Sequence, residues 1–156
     1  MDDQEEPESL KDEMRTVIEE AWMVLPGIQA LFGFQTMAVF NSKFKELSQG
    51  SRSAYLIALD FLTLSMGLLM TPAAYNRLAE RGKVSRRMIN LSSTLITSAM
   101  VPLMLALSLD VYVVVLAVLG NLWVASLGGI TAFCLLVSLW FFFPLIKKLS
   151  KASGGP

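Results

Sequence analysis

The sequence predicts an all-α fold, a polytopic membrane helical bundle in which four transmembrane helices follow an amphipathic N-terminal helix. Hydrophobic residues make up 54% of the 156 residues and charged residues 17%, whereas soluble domains carry about 25% charged residues. Four long stretches carry almost no charge, and the basic residues gather in segments that would lie on one side of a membrane. Together these observations predict a membrane protein.

The first elements are an acidic segment and an amphipathic helix. Nine of the thirteen acidic residues lie in the first twenty positions, and residues 1–9, which lack apolar periodicity, are expected to be disordered. Residues 10–21 repeat apolar side chains at helical spacing, with charged residues between them. We expect this helix to pack on the membrane helices or, alternatively, to lie on the membrane surface. Because the start is unlike a signal peptide, the first span is expected to be retained.

Four spans are assigned by length and apolar content, since about 20 apolar residues in a helix cross a bilayer. We expect them at 22–40, 54–75, 89–119 and 122–146, within one membrane domain (10–151) that precedes a flexible tail (152–156). Pro26-Gly27 marks the start or a kink of the first span. The break between the last two spans falls at Ser108–Asp110 or at Gly120–Asn121, and the uninterrupted apolar run between these sites favours Gly120–Asn121.

The distribution of Lys and Arg predicts the orientation. Four spans place both termini on one side, where the second loop and the terminal segments carry ten Lys and Arg, against three on the other side. The positive-inside rule then places both termini in the cytoplasm. We therefore expect a multi-pass plasma-membrane protein surrounded by membrane lipid.

A carboxylate, Asp60, lies inside the second span. A charge near a helix centre costs about 3 kcal/mol or more in lipid, so such residues usually face a bundle interior or water. At 100° per residue, Thr63, Gly67 and Thr71 lie on the same side as Asp60, and larger apolar residues cover the rest. This pattern predicts an ion pathway. The alternative is a structural Asp60, protonated or hydrogen-bonded to Gln29 or Gln35.

Three further polar residues are candidates for the same pathway. Gln29 and Gln35 lie in the first span and Asp110 in the third. Asp110 alternatively lies at the outer membrane interface. Small and hydroxylated residues in every span also fit ordinary packing, because membrane helices approach one another through such residues.

Residue types that are missing argue against several functions. The chain has no histidine and one cysteine, Cys134, so we expect no metal site, no cofactor and no internal disulfide. It has no phosphate loop or hydrolase motif and no histidine to activate a serine, so we expect no enzyme and no catalytic residue. The chain lacks a basic face with interleaved aromatic residues, so we expect no nucleic-acid partner.

The stretches EEAWMVLPGIQALFGFQTMAVFNSKFKELS, MTPAAYNRL and ALSLDVYVV resemble an uncharacterised bacterial family of small integral membrane proteins, a domain of unknown function. The similarity covers about residues 19–115, and LPGIQALFGFQ is its most specific part. The resemblance implies a four-span protein of the bacterial inner membrane. It implies no catalytic or binding residues.

Two functions of different classes fit these observations. The first is a small homo-oligomeric protein that conducts or transports a monovalent cation or a proton through a pore or cavity lined by the second span. The alternative is a non-transporting interaction or scaffold subunit that docks a partner through its N-terminal amphipathic helix. A third possibility, an enzyme acting on lipid, needs Asp60 or Asp110 as a general base with a tuned pKa.

Overall fold

The structure is a computed structural model that describes the backbone of residues 7–80 and 85–146, and side chains within 12–42, 44–78 and 85–146. Regular structure in these ranges is helical throughout, and four helices are long and apolar enough to cross a membrane. This confirms the predicted all-α fold with four membrane-length helices. The candidate spans are Asp12–Val39, Gln49–Leu78, Arg86–Leu119 and Leu122–Ile146. Residues 1–6 and the tail at 152–156, both expected to lack structure, lie outside the described residues.

Helix α1 (Pro7–Val39) is continuous over 33 residues. The sequence predicted an amphipathic helix and a separate span in this region, but the structure joins them through Pro26. A proline inside a helix removes one backbone hydrogen bond without always ending the helix. Pro7 occupies the first turn, where the missing N–H costs nothing. Residues 7–9 are therefore helical and do not belong to a disordered segment.

Helix α2 (Gln49–Tyr75) follows a short 3-10 helix (Ser42–Glu46) and continues into a wide π-helical turn (Asn76–Glu80). It starts before residue 54, where the sequence placed the span, because the Ser48 Oγ accepts a hydrogen bond from the Ser51 N–H at 3.2 Å. The preceding loop is held by Arg52, whose guanidinium donates to the carbonyl oxygens of Leu47 and Lys45 at 2.9 and 3.1 Å.

Helix α3 (Arg86–Leu119) and helix α4 (Leu122–Val137) meet at Gly120 and Asn121, the break that the sequence favours. Gly120 has a φ of 63°, a left-handed conformation in which a residue with a Cβ is strained. The Asn121 side chain then accepts hydrogen bonds from the Trp123 and Val124 N–H groups and caps α4. A π-helical turn (Ser138–Phe142) continues α4.

The chain forms two compact units, and α2 and α3 each contribute to both. The first unit contains α1 with Leu62–Pro102, and the second contains Phe40–Phe61 with the chain from Leu103 onward. In the first unit, Met14 of α1 is buried with Met88 and Ile89 of α3. In the second unit, Gly129 of α4 lies close to the Ser108 carbonyl oxygen of α3.

Candidate functional site

The buried side of α2 determines which residues the helix leaves exposed. Its buried residues are Ser51, Tyr55, Ala58, Leu62, Ser65, Leu69 and Pro72. At 100° per residue, all of them lie more than about 110° around the helix from Asp60. Asp60, Thr63, Gly67 and Thr71 are exposed. These four residues, which we call the Asp60 face, form one polar stripe opposite the buried side.

The Asp60 face has open space beside Gly67. Apart from its chain neighbours and the backbone of its own helix, a Cβ built on Gly67 would meet no atom of the described residues within 4 Å. The glycine is therefore not needed for close packing against the other helices that the structure describes. Because it leaves a shallow place on the exterior of a membrane helix, it would allow another molecule or another copy of the chain to approach closely.

The hydroxyl group of Thr71 is oriented by the backbone of its own helix. Thr71 Oγ1 donates a hydrogen bond to the carbonyl oxygen of Gly67 at 2.8 Å. Since a hydroxyl has one hydrogen and two lone pairs, the remaining capacity of this oxygen is to accept. The exposed oxygen therefore suits a cation or a hydrogen-bond donor.

Asp60 lies near the middle of α2. It is about 16 Å along the axis from Gln49 and about 22 Å from Tyr75 at 1.5 Å per residue. Among the side chains that the structure describes, none forms a hydrogen bond or an ion pair with it. A carboxylate at this position of a membrane helix is too costly to leave against hydrocarbon, so it requires water, a proton or a partner.

The other three predicted pathway residues lie on other helices and in different environments. On α1, Gln29 is exposed whereas Gln35 is 5% exposed. Asp110 of α3 is half-buried in the second unit. The structure thus places four of the seven predicted residues on one face, and it places the two glutamines and Asp110 elsewhere.

No pattern in the sequence singled out Ser65, although Ser65 orients α2. Ser65 is fully buried and donates a hydrogen bond to the carbonyl oxygen of Ala99 on α3 at 2.9 Å. The signal in the sequence was that Ser65 lies 140° around the helix from Asp60, on the opposite side of α2. Serine is common in membrane helices, so that signal was weak by itself.

No group of three acidic, histidine or cysteine side chains within the described residues could hold a metal ion. Cys134 is exposed on α4. The candidate site therefore consists of one carboxylate, two hydroxyl groups and a glycine on the outside of one helix.

The fold has four helices that are long and apolar enough to cross a membrane, and the second of them carries a polar stripe. The chain belongs to DUF6328, a family of unknown function, whose model matches residues 3–144. This match confirms the resemblance to a family without an assigned function. No curated protein and no solved structure matches the chain.

Proposed function

We propose that the protein forms a homo-oligomer that conducts or transports a monovalent cation or a proton along the Asp60 face. The observation that supports this function is the exposure of Asp60 near the middle of α2, opposite the buried side of that helix. A carboxylate placed there in lipid costs about 3 kcal/mol or more. A second copy of the chain or a water-filled passage removes that cost.

Assembly through the Asp60 face would bring several carboxylates close together around a shared axis. A ring of acidic side chains concentrates cations and repels anions electrostatically. The hydroxyl oxygen of Thr71 adds an acceptor that replaces part of the hydration shell of a cation. Gly67 leaves space beside these groups. Four spans of one chain enclose little volume, so a passage between copies fits the face better than one inside a single chain.

The test is ion flux in proteoliposomes that contain the wild-type protein or Asp60→Asn. The substitution keeps the shape of the side chain and removes its charge, and we expect at least about a tenfold loss of cation-over-chloride selectivity, equivalent to about 1.4 kcal/mol. Asp110→Asn is the matched control, since Asp110 is half-buried on α3 and does not belong to the Asp60 face. Wild-type flux equal to that of empty liposomes under every gradient and voltage would contradict the proposal, as would unchanged selectivity in Asp60→Asn.

The charges in the loops support an orientation in the membrane. We infer that both termini lie in the cytoplasm, because ten of the thirteen Lys and Arg lie on the side of the termini. The resemblance to a bacterial inner-membrane family supports a location in the bacterial plasma membrane. A periplasm-specific reporter enzyme fused after residue 156 is expected to be inactive. The same reporter inserted in the loop at Ser42–Gly50 is expected to be active.

A second candidate function, docking of a partner by the N-terminal part of α1, is favoured by exposed acidic residues. Asp12, Glu19 and Glu20 are all exposed on this helix. Deleting the segment would also remove Met14, which is buried, so a charge-only variant is the cleaner test. Asp12→Asn combined with Glu20→Gln should weaken capture of such a partner and leave ion flux unchanged. Altered flux in this variant would contradict the expectation that partner docking and ion conduction are separate roles.

A further inference from the structure

A groove of about 550 Å³ opens in the first unit between three helices. Val17, Ala21 and Leu25 of α1 form one wall, the last turns of α2 form the second, and Ile96 of α3 contributes to the third. All but one of its lining residues are apolar or aromatic. The exception is Arg77, directly after α2.

Arg77 is exposed and lines the groove. Within the side chains that the structure describes, Arg77 makes no ion pair. Two glutamates of α1 form ion pairs with arginines other than Arg77. Glu13 binds Arg86 at 3.0 Å, and Glu19 binds Arg15 at 2.9 Å. Glu20 is exposed and is not a lining residue of the groove.

Trp22 indicates the depth of the groove in the membrane. Its side chain lines the groove and is 72% exposed. Indole rings concentrate at the boundary between hydrocarbon and water, the level at which lipid phosphates lie. Arg77 lies at the end of the candidate span Gln49–Leu78 and so belongs at the same level. The groove therefore joins a cationic group at phosphate depth to apolar walls beside it.

We propose that this groove binds one anionic phospholipid, with an acyl chain against the apolar walls and the phosphate at Arg77. The apolar lining suits an acyl chain, because each buried methylene group stabilises the complex by the hydrophobic effect. A guanidinium group binds phosphate oxygens through paired hydrogen bonds. A site for an acyl chain alone would not need this group. A cationic group at phosphate depth beside apolar walls matches both parts of an anionic lipid, so the proposal commits to this occupant. None of the four residues of the Asp60 face lines the groove. The binding proposed here does not depend on transport.

Trp22 offers a direct test, because bromine atoms on an acyl chain quench tryptophan fluorescence on contact. The protein would carry Trp123→Phe and Trp140→Phe, so that Trp22 is the sole tryptophan. It would be reconstituted in phosphatidylcholine vesicles with increasing fractions of brominated phosphatidylglycerol, or of brominated phosphatidylcholine as the neutral probe. We expect phosphatidylglycerol to occupy the groove about fivefold more strongly, and Arg77→Gln to remove this preference.

Arg87→Gln is the matched control, because Arg87 is an exposed arginine near the start of α3 that does not line the groove. This variant should retain the preference for phosphatidylglycerol. Equal quenching by the two brominated lipids would overturn the proposal, and so would an equal loss of preference in both arginine variants. Absence of quenching by either lipid would show that something other than lipid fills the groove, which also overturns it.

Discussion

Ser65 Oγ donates a hydrogen bond to the backbone carbonyl oxygen of Ala99, 2.9 Å away, and this bond links α2 to α3 within the first unit. Both residues are buried, at 0% and 1% exposure. A hydroxyl group in a membrane interior is costly without a partner, so the bond favours the rotation of α2 that turns Ser65 inward. The same rotation turns Thr63, Gly67 and Thr71, the part of the Asp60 face within this unit, outward.

Replacing Ser65 by alanine should destabilise the protein modestly. Hydrogen bonds between helices in membranes contribute about 0.6 kcal/mol on average and at most about 1.7 kcal/mol, so we expect a loss in that range for Ser65→Ala. The free energy of unfolding in mixed detergent micelles measures it. Ser108→Ala is the matched control, because Ser108 is also buried but donates to the Met104 carbonyl oxygen of its own helix at 2.7 Å. An equal or larger loss in the control would contradict the role assigned to Ser65.

Two adjacent glycines of α4 should respond differently to replacement by alanine. A Cβ on Gly129 would lie 3.1 Å from both the Ser108 carbonyl oxygen and the Tyr112 Cβ, whereas the nearest atom to a Cβ on Gly128 is Val115 Cγ2 at 3.5 Å. We expect Gly129→Ala to lower the free energy of unfolding by about 1 kcal/mol or more through overpacking. Gly128→Ala should be neutral or slightly stabilising, since alanine favours a helix. Equal effects at the two positions would show that α3 and α4 are not in close contact at Gly129.

The N-terminal part of α1 should be stabilised mainly by packing. Met14 is 4% exposed against Met88 and Ile89, so Met14→Ala should cost about 2 kcal/mol or more in the free energy of unfolding. Met23→Ala is the matched control, because Met23 is 75% exposed and should cost less than about 0.5 kcal/mol. If the two methionines cost the same, the N-terminal part of α1 does not pack as the structure describes.

The ion pair between Glu13 and Arg86 should contribute little. Both side chains are about half exposed, at 46% and 49%, and exposed pairs are worth about 0–1 kcal/mol. A double-mutant cycle with Glu13→Gln and Arg86→Gln should give a coupling free energy in that range, and added salt should reduce it. A coupling above about 2 kcal/mol would show a pair far better shielded from solvent than its exposure indicates.

Long apolar runs were enough to predict the four membrane-length helices, since length and hydropathy depend only on local sequence. The helix break at Gly120 was also predictable, because a glycine followed by a capping asparagine ends one helix and starts the next through local interactions. The Asp60 face was also predictable. Residues at three- and four-residue spacing share a side of a helix whatever surrounds it.

Features that depend on neighbouring helices were not predictable. Nothing local distinguishes Gln35, which is buried, from Gln29, which is exposed, because tertiary packing decides between them. Likewise, the apolar side of residues 10–21 predicted an amphipathic helix, but only the structure shows Met14 buried against α3 and the groove beside Arg77. The continuity of α1 through Pro26 was missed because a proline within a span fits either a break or a kink.

The central claim is that the Asp60 face of one chain meets the same face of another, and disulfide cross-linking tests it most directly. The native cysteine would first be removed by Cys134→Ser, and Gly67→Cys would then place a single thiol on the Asp60 face. Disulfides form only when the two Cα atoms approach within about 7 Å. Leu127→Cys is the matched control, a 66% exposed position on α4.

We predict that mild oxidation in the native membrane links Gly67→Cys chains into dimers and leaves Leu127→Cys chains as monomers. Cross-linking through Leu127→Cys but not through Gly67→Cys would contradict the account, because copies of the chain would then meet through α4 and leave Asp60 outside the interface.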